Sequence, residues 1–163
     1  MQHEDVITDK LRLNQILINI VGNAIKFTPV GGDIIIHLVE RPCSTSGYAA
    51  YEFSIKDTGI GMSSDFLGHV FDTFAREQSA TVSGIQGTGL GMAITKNIVE
   101  MMGGTVEVES EEGKSSKFTV TLTLRLADKP IRYEPIAELQ GARKLVVDDD
   151  IETCRSVCKM LRS

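Results

Sequence analysis

The chain has 163 residues, of which 42% are hydrophobic and 24% charged, with a net charge of -5. These are the values of an ordinary globular sequence and exclude a disordered segment or a coiled coil. The negative charge excludes non-specific nucleic-acid binding, which needs a basic face, and a polybasic membrane patch. No apolar run nears the roughly 20 residues that span a bilayer, and MQHEDVITDK lacks the basic start and apolar stretch of a secretion signal. The expectation is an acidic cytoplasmic domain, without direct membrane contact and large enough to bury its own core.

In chain order, a helix is expected first, from about Asp9 to Phe27, because Leu13, Leu17, Ile20 and Ala24 recur at helical spacing. Pro29 and the Gly31-Gly32 pair stop it. DIIIHLVER and AAYEFSIKD then read as strands, joined by a hairpin loop at Cys43–Gly47. A glycine-rich irregular region follows; nine of the 15 glycines lie between Gly59 and Gly104. A second helix is expected from about Leu90 to Met102, and then the strands TVEVES and KFTVTLTLRL around the turn-like EEGKSS. The order predicts an α+β fold, a two-layer α/β sandwich with helices on one face of a mixed, mostly antiparallel sheet. After Arg125 the prolines of DKPIRYEPIAELQGAR mark a linker, and KLVVDDDIETCRSVCKMLRS reads as one further strand and helix, too short for a core. Cys43, Cys154 and Cys158 fit neither a disulfide framework nor a zinc site, so free thiols are expected. His3, His37 and His69 are scattered, without metal-ligand spacing.

Three stretches carry candidate chemistry. On the first helix, Asn19, Asn23 and Lys26 lie within roughly 60° of one another. Two carboxamides and an ammonium in one stripe suit a hard cation and a phosphate, or else form a solvated face. In IKDTGIGM, Asp57 ends a strand and can accept from an exocyclic amine, while Gly59 and Gly61 allow close backbone approach to a flat ring. A plain strand-terminating turn uses the same residues. In GIQGTGLGMAITKNIVEMMGG, Gly87, Gly89 and Gly91 run into a helix whose free N–H groups suit phosphate. A dinucleotide fingerprint would follow the first strand of a parallel βαβ unit, and this one does not.

In this order and spacing the stretches resemble the ATP-binding catalytic domain of sensor histidine kinases, in the superfamily with gyrase-type and chaperone-type ATPases and their Bergerat-type fold. LNQILINIVGNAIKFTPVGG resembles the family's asparagine box, DTGIGM its first glycine box and VFDTFARE its phenylalanine box. GTGLGMAI resembles the second glycine box and GKSSKFTVTLTL the closing strand pair, so the likeness covers about residues 5–125. The resemblance implies ATP and Mg²⁺ as ligands. It implies Asn23 as the Mg²⁺ ligand with Asn19 as its helper, and Lys26 facing the phosphates. It implies Asp57 as reader of the adenine amino group, framed by Gly59 and Gly61. Phe71 and Phe74 match an aromatic pair anchoring a lid of about residues 73–88, and Arg76 a basic residue for the γ-phosphate. Gly87, Gly89 and Gly91, with Thr88 and Leu90 between them, match the hinge that clasps the triphosphate.

The gyrase-type and chaperone-type relatives carry a water-activating glutamate where this chain has Asn19, which takes up no proton at neutral pH. The resemblance therefore implies a phosphoryl donor with weak hydrolysis. His3 lacks the arginine and proline of the family's phosphoacceptor motif, so the acceptor is expected on a dimerisation domain absent here, without which autophosphorylation is not possible. The tail resembles the opening of a response-regulator receiver, with Asp148 and Asp149 as its acidic pair. The implied organisation is a catalytic domain at 1–126, a linker at 127–142 and a truncated receiver start at 143–163. A hybrid kinase fragment, monomeric alone, is the leading expectation. A degenerate nucleotide-binding regulatory module and a gyrase-type ATPase are the alternatives.

Overall fold

In the computed structural model, residues 3, 5–75 and 88–127 are described, all within the unit that spans residues 1–130. Arg76, Gly87, most of the 73–88 segment, the linker, Asp148, Asp149, Cys154 and Cys158 lie outside the described residues.

Helix α1 runs Lys10–Phe27. Asp9 caps it, its carboxylate accepting from the Arg12 N–H at 3.1 Å and satisfying one of the first-turn donors. At the other end the Thr28 hydroxyl and N–H both donate to the Ala24 carbonyl, at 2.6 and 3.1 Å, and Pro29 follows. Ile16, Ile20 and Ala24 form its buried stripe. Strands β2 (Ile34–Arg41) and β3 (Tyr48–Asp57) form the expected hairpin, in register from Ile34 opposite Asp57 to Arg41 opposite Ala50. Helix α2 (Ser64–Leu67) is a single turn capped by the Ser63 hydroxyl, and helix α3 spans Gly91–Met101. Gly103, at φ 72°, takes the left-handed turn that ends α3. Strands β4 (Thr105–Glu111) and β5 (Ser115–Leu126) complete the sheet.

Sequence periodicity did not give β1, the two-residue strand Val6–Ile7, whose partner is the far end of β5. It did not give α2 either, because four residues are too few for a period to show.

The sheet runs β2-β3-β5, with β4 and β1 end to end along the other edge of β5, and every described pairing is antiparallel. Along β5 the alternation is strict: Ser116, Phe118, Val120, Leu122 and Leu124 point to the buried face. Tyr51 and Ile55 of β3 share that face, and Ile16 and Ile20 of α1 with Ile98 and Val99 of α3 cover it. Each fully buried aliphatic side chain contributes about 1.5–3 kcal/mol over leaving it in water. The expected α+β layering is the observed one. Among the described residues no helix is long and apolar enough to cross a membrane.

Candidate functional site

Three rigid ends converge on one opening: the last turns of α1, the end of β3 and the first turn of α3. They enclose a cavity of about 240 Å³. One side is polar, with Asn23, Lys26, Thr88, Gly89 and Gly91. The apolar part of the lining is Ile60, Met62, Phe66, Val70 and Phe118, and the buried Asp57 also lines the cavity.

Asp57 is only 4% exposed, and its carboxylate is held by the backbone. Oδ1 accepts from the Gly59 N–H at 2.8 Å and from the Ser116 N–H at 3.3 Å. Among the described residues Oδ2 receives no hydrogen bond, which leaves one acceptor of a buried acid on the cavity wall. A buried polar atom without a partner is costly, so this one points to a ligand donor.

The glycines beside it are there for space. A Cβ on Gly59 would lie 2.6 Å from the Phe27 carbonyl oxygen. Gly61 has φ 65°, and its missing Cβ would run into the Glu111 carbonyl. The turn is tied down on both sides, the Ile60 N–H donating to the Phe27 carbonyl and the Gly113 N–H to the Ile60 carbonyl.

Across the cavity, the Asn23 carboxamide makes no hydrogen bond among the described residues and faces the opening. Lys26, in the last turn of α1, lies with Nζ 4.9 Å from the Phe27 ring centroid and forms no described ion pair. Gly89 is at φ 70°, and its carbonyl accepts from the Phe74 N–H at 3.0 Å.

Of the residues singled out in the sequence, Asn23, Lys26, Asp57, Gly61, Thr88, Gly89 and Gly91 line the cavity. Asn19, Gly59, Phe71, Phe74 and Leu90 do not. Gly59 stands directly behind Asp57. Phe71 packs against the core, with Lys96 Nζ 5.7 Å from its ring, whereas Phe74 is 70% exposed in a left-handed conformation, φ 65°. The Asn19 amide is turned to α3, onto the Gly91 carbonyl and the Thr95 hydroxyl.

Sequence reasoning missed Ser116, the second clamp on Asp57, and the apolar wall. Ser116 was legible only through strand register, since β3 and β5 place it opposite Asp57. Its hydroxyl also lies 3.0 Å from that of Ser110, which accepts from the Met62 N–H at 2.9 Å. The wall residues Met62, Phe66 and Val70 come from the irregular stretch, where no periodicity announces them.

Residues 8–126 match the family described as histidine kinase-, DNA gyrase B-, and HSP90-like ATPase. The autoinducer 2 sensor kinase/phosphatase LuxQ of Vibrio harveyi is 39% identical over 156 residues, which is 91% of this chain and 18% of that protein. The chain spans about a fifth or less of the curated relatives it matches. Among solved structures, the mycobacterial sensor histidine kinase MprB superposes with a TM-score of 0.62 at 30% identity, covering 75% of this chain and 78% of that one. Full-length ShkA in complex with AMPPNP superposes at 0.58 with 34% identity, covering 78% of this chain and 24% of that one. An antiparallel sheet with two main helices packed on it agrees with these likenesses. The chain belongs to the histidine kinase-, DNA gyrase B-, and HSP90-like ATPase family, as a histidine kinase catalytic domain.

Proposed function

We propose that the cavity binds ATP with Mg²⁺, and that the domain supplies the γ-phosphoryl group to a histidine on a helical dimerisation domain outside this chain. The observation that carries the reading is Oδ2 of the buried Asp57, which has no hydrogen-bond partner among the described residues. An adenine amino group supplies the donor that this atom lacks, and the apolar wall accepts the flat ring. That ShkA is in complex with AMPPNP supports the same ligand class here.

The phosphates then extend toward the polar side. Gly89 and Gly91 bring backbone N–H groups to them at the start of α3, and Lys26 adds a point charge. A Mg²⁺ ion fits this donor set in one way only. Among the described residues no group of three or more acidic, histidine or cysteine side chains gathers to cage an ion. Asn23, whose carboxamide has no partner among the described residues, would ligate an ion carried in on the phosphates, as Mg²⁺ prefers. When bound, the ion would neutralise charge on the phosphoryl oxygens. Gly87, at the lid hinge, and Arg76, as a γ-phosphate contact, belong to the same reading.

Position 19 holds an amide where a water-activating base would stand, so the phosphoryl group is kept for another acceptor. The parent protein is a hybrid kinase in this reading, with the tail as the start of a receiver. A match to LuxQ over 91% of the chain necessarily runs past residue 126, where the family match ends, which supports it. A cytoplasmic placement follows from the need for ATP.

The test is phosphotransfer in trans. The chain with γ-labelled ATP and Mg²⁺ should label a separately supplied histidine-bearing helical domain with an acid-labile phosphate, while releasing free phosphate more slowly than about 1 s⁻¹. Binding without any transfer would favour the regulatory-module reading. Faster phosphate release would favour a gyrase-type ATPase.

A further inference from the structure

Helix α3 packs on α1, whose Ile16 and Ile20 share the core with Ile98 and Val99, and Asn19 and Thr95 bring a polar group into that contact. Thr95 is fully buried, at 0% exposure. Its hydroxyl donates to the Gly91 carbonyl at 2.8 Å, the usual bond of a helical threonine to the carbonyl four residues back. That bond leaves the hydroxyl an acceptor, and the Asn19 Nδ2 donates to it at 3.1 Å. The same Nδ2 donates to the Gly91 carbonyl, also at 3.1 Å. Both amide hydrogens of Asn19 are therefore committed to the first turn of α3.

Helix packing alone does not call for this triangle. Apolar residues of matching shape at both positions would fill the contact at little or no loss of stability. A satisfied polar pair inside an apolar contact does something that apolar packing does not: it selects one register. The register selected here matters to the cavity. Gly91 lines it from α3, and Asn23 lines it from α1, one turn along from Asn19. The neighbouring Gly89 carbonyl is held by the Phe74 N–H, so the segment from Gly89 to Gly91 is fixed from two directions.

We propose that Asn19, acting through Gly91 and Thr95, is a positioning residue that sets the first-turn N–H groups of α3 at a fixed distance from Asn23. In this role it selects for the polyphosphate end of the ligand without touching it. The inference rests on the nucleotide reading of the cavity and adds to it a division of labour: Asn23 meets the ligand, and Asn19 holds the opposite wall in place.

The experiment uses the full chain and three variants: Thr95→Val, which keeps the volume and removes the hydroxyl; Thr95→Ser, which keeps the hydroxyl; and Asn19→Asp, which sets an acceptor against the Gly91 carbonyl. Mg·AMPPNP and adenosine are titrated into each by calorimetry, and amide hydrogen exchange is measured without ligand. Losing hydrogen bonds of ordinary strength predicts about tenfold weaker AMPPNP binding in Thr95→Val and Asn19→Asp. Adenosine affinity should stay within about twofold, since Asp57 and the apolar wall are untouched, and Thr95→Ser should match the parent chain on both ligands. Exchange should quicken at residues 92–95 and stay unchanged in β5. An unchanged ratio of AMPPNP to adenosine affinity, or a parallel loss of both, would overturn the proposal. If the parent chain bound neither ligand, the nucleotide reading would fall and exchange alone would decide: quickening confined to the first turn of α3 sustains the seat, and none overturns it.

Discussion

Replacing Asp57 with asparagine changes one atom and should reverse what the cavity recognises there. Oδ1 of Asp57 is pinned by two backbone donors, Gly59 N–H at 2.8 Å and Ser116 N–H at 3.3 Å. In Asp57→Asn the carboxamide oxygen must keep these donors, because the opposite orientation sets an NH₂ against two N–H groups. The NH₂ therefore replaces Oδ2 on the cavity wall and meets the adenine amino group donor to donor. The loss has two parts: a hydrogen bond to a charged acceptor, about 1.5–3 kcal/mol, and a buried donor left unpaired, about 1–3 kcal/mol. Allowing for overlap between them, about 2–4 kcal/mol is expected, or roughly 30-fold to 1000-fold in affinity. Stability without ligand should change little, since both backbone donors stay satisfied. Calorimetry with Mg·AMPPNP reads the loss. An inosine nucleotide, which carries an oxygen where adenosine carries the amine, should lose much less or gain. If Asp57→Asn bound AMPPNP within about threefold of the parent chain and showed no turn toward inosine, the assignment of Asp57 as reader of the base would be refuted.

Three further outcomes follow from the same geometry. Asn23→Ala should abolish the tightening that Mg²⁺ gives to nucleotide binding, so that affinities with and without the ion agree within about threefold by titration. Gly61→Ala forces a β-carbon onto the Glu111 carbonyl at φ 65°, so denaturant unfolding should show a loss of about 1–3 kcal/mol, with weaker nucleotide binding. Tyr51 has its pKa raised above 10.0 by burial and then by the Glu40 carboxylate, and its hydroxyl donates to the His3 carbonyl. The folded state therefore holds the phenolic proton more tightly than the unfolded chain. The associated stability is complete below pH 10.0 and is lost as pH rises through the folded value, so Tyr51→Phe should flatten the alkaline limb of a stability-against-pH curve.

The sequence was most informative where residues repeat or where geometry demands a particular type. Helix α1 was legible to within a residue, since Asp9, the aliphatic stripe and Pro29 mark start, face and end. The hairpin of β2 and β3 was legible from its β-branched and aromatic runs and the Ser/Thr-rich loop. Asn23, Lys26, Asp57, Gly61, Gly89 and Gly91 reach one cavity because they sit at or beside the ends of regular elements. The apolar wall was illegible for the converse reason. Ile60, Met62 and Val70 lie in stretches with no period, and only the packed fold brings them to one cavity. Ser116 falls between these cases, hidden in the turn-like EEGKSS until register sets it against Asp57.

Position 19 shows how one residue can serve fold and chemistry through the same atoms. In the proposed reading, it is the place where gyrase-type and chaperone-type relatives carry a glutamate. Read in space, it is a donor of two hydrogens to the first turn of α3, one to the Gly91 carbonyl and one to the Thr95 hydroxyl. A carboxylate offers no hydrogen to either partner at neutral pH. Placed there, it would face a carbonyl oxygen already shared with Thr95, and the seat of α3 would have to be rebuilt around other contacts. The amide at position 19 thus supplies the seat of α3 and, in the proposed reading, stands in place of a base. An acid at position 19 would compete with the Gly91 carbonyl for the Thr95 hydroxyl hydrogen, so Thr95 is the first place where α3 would have to adjust.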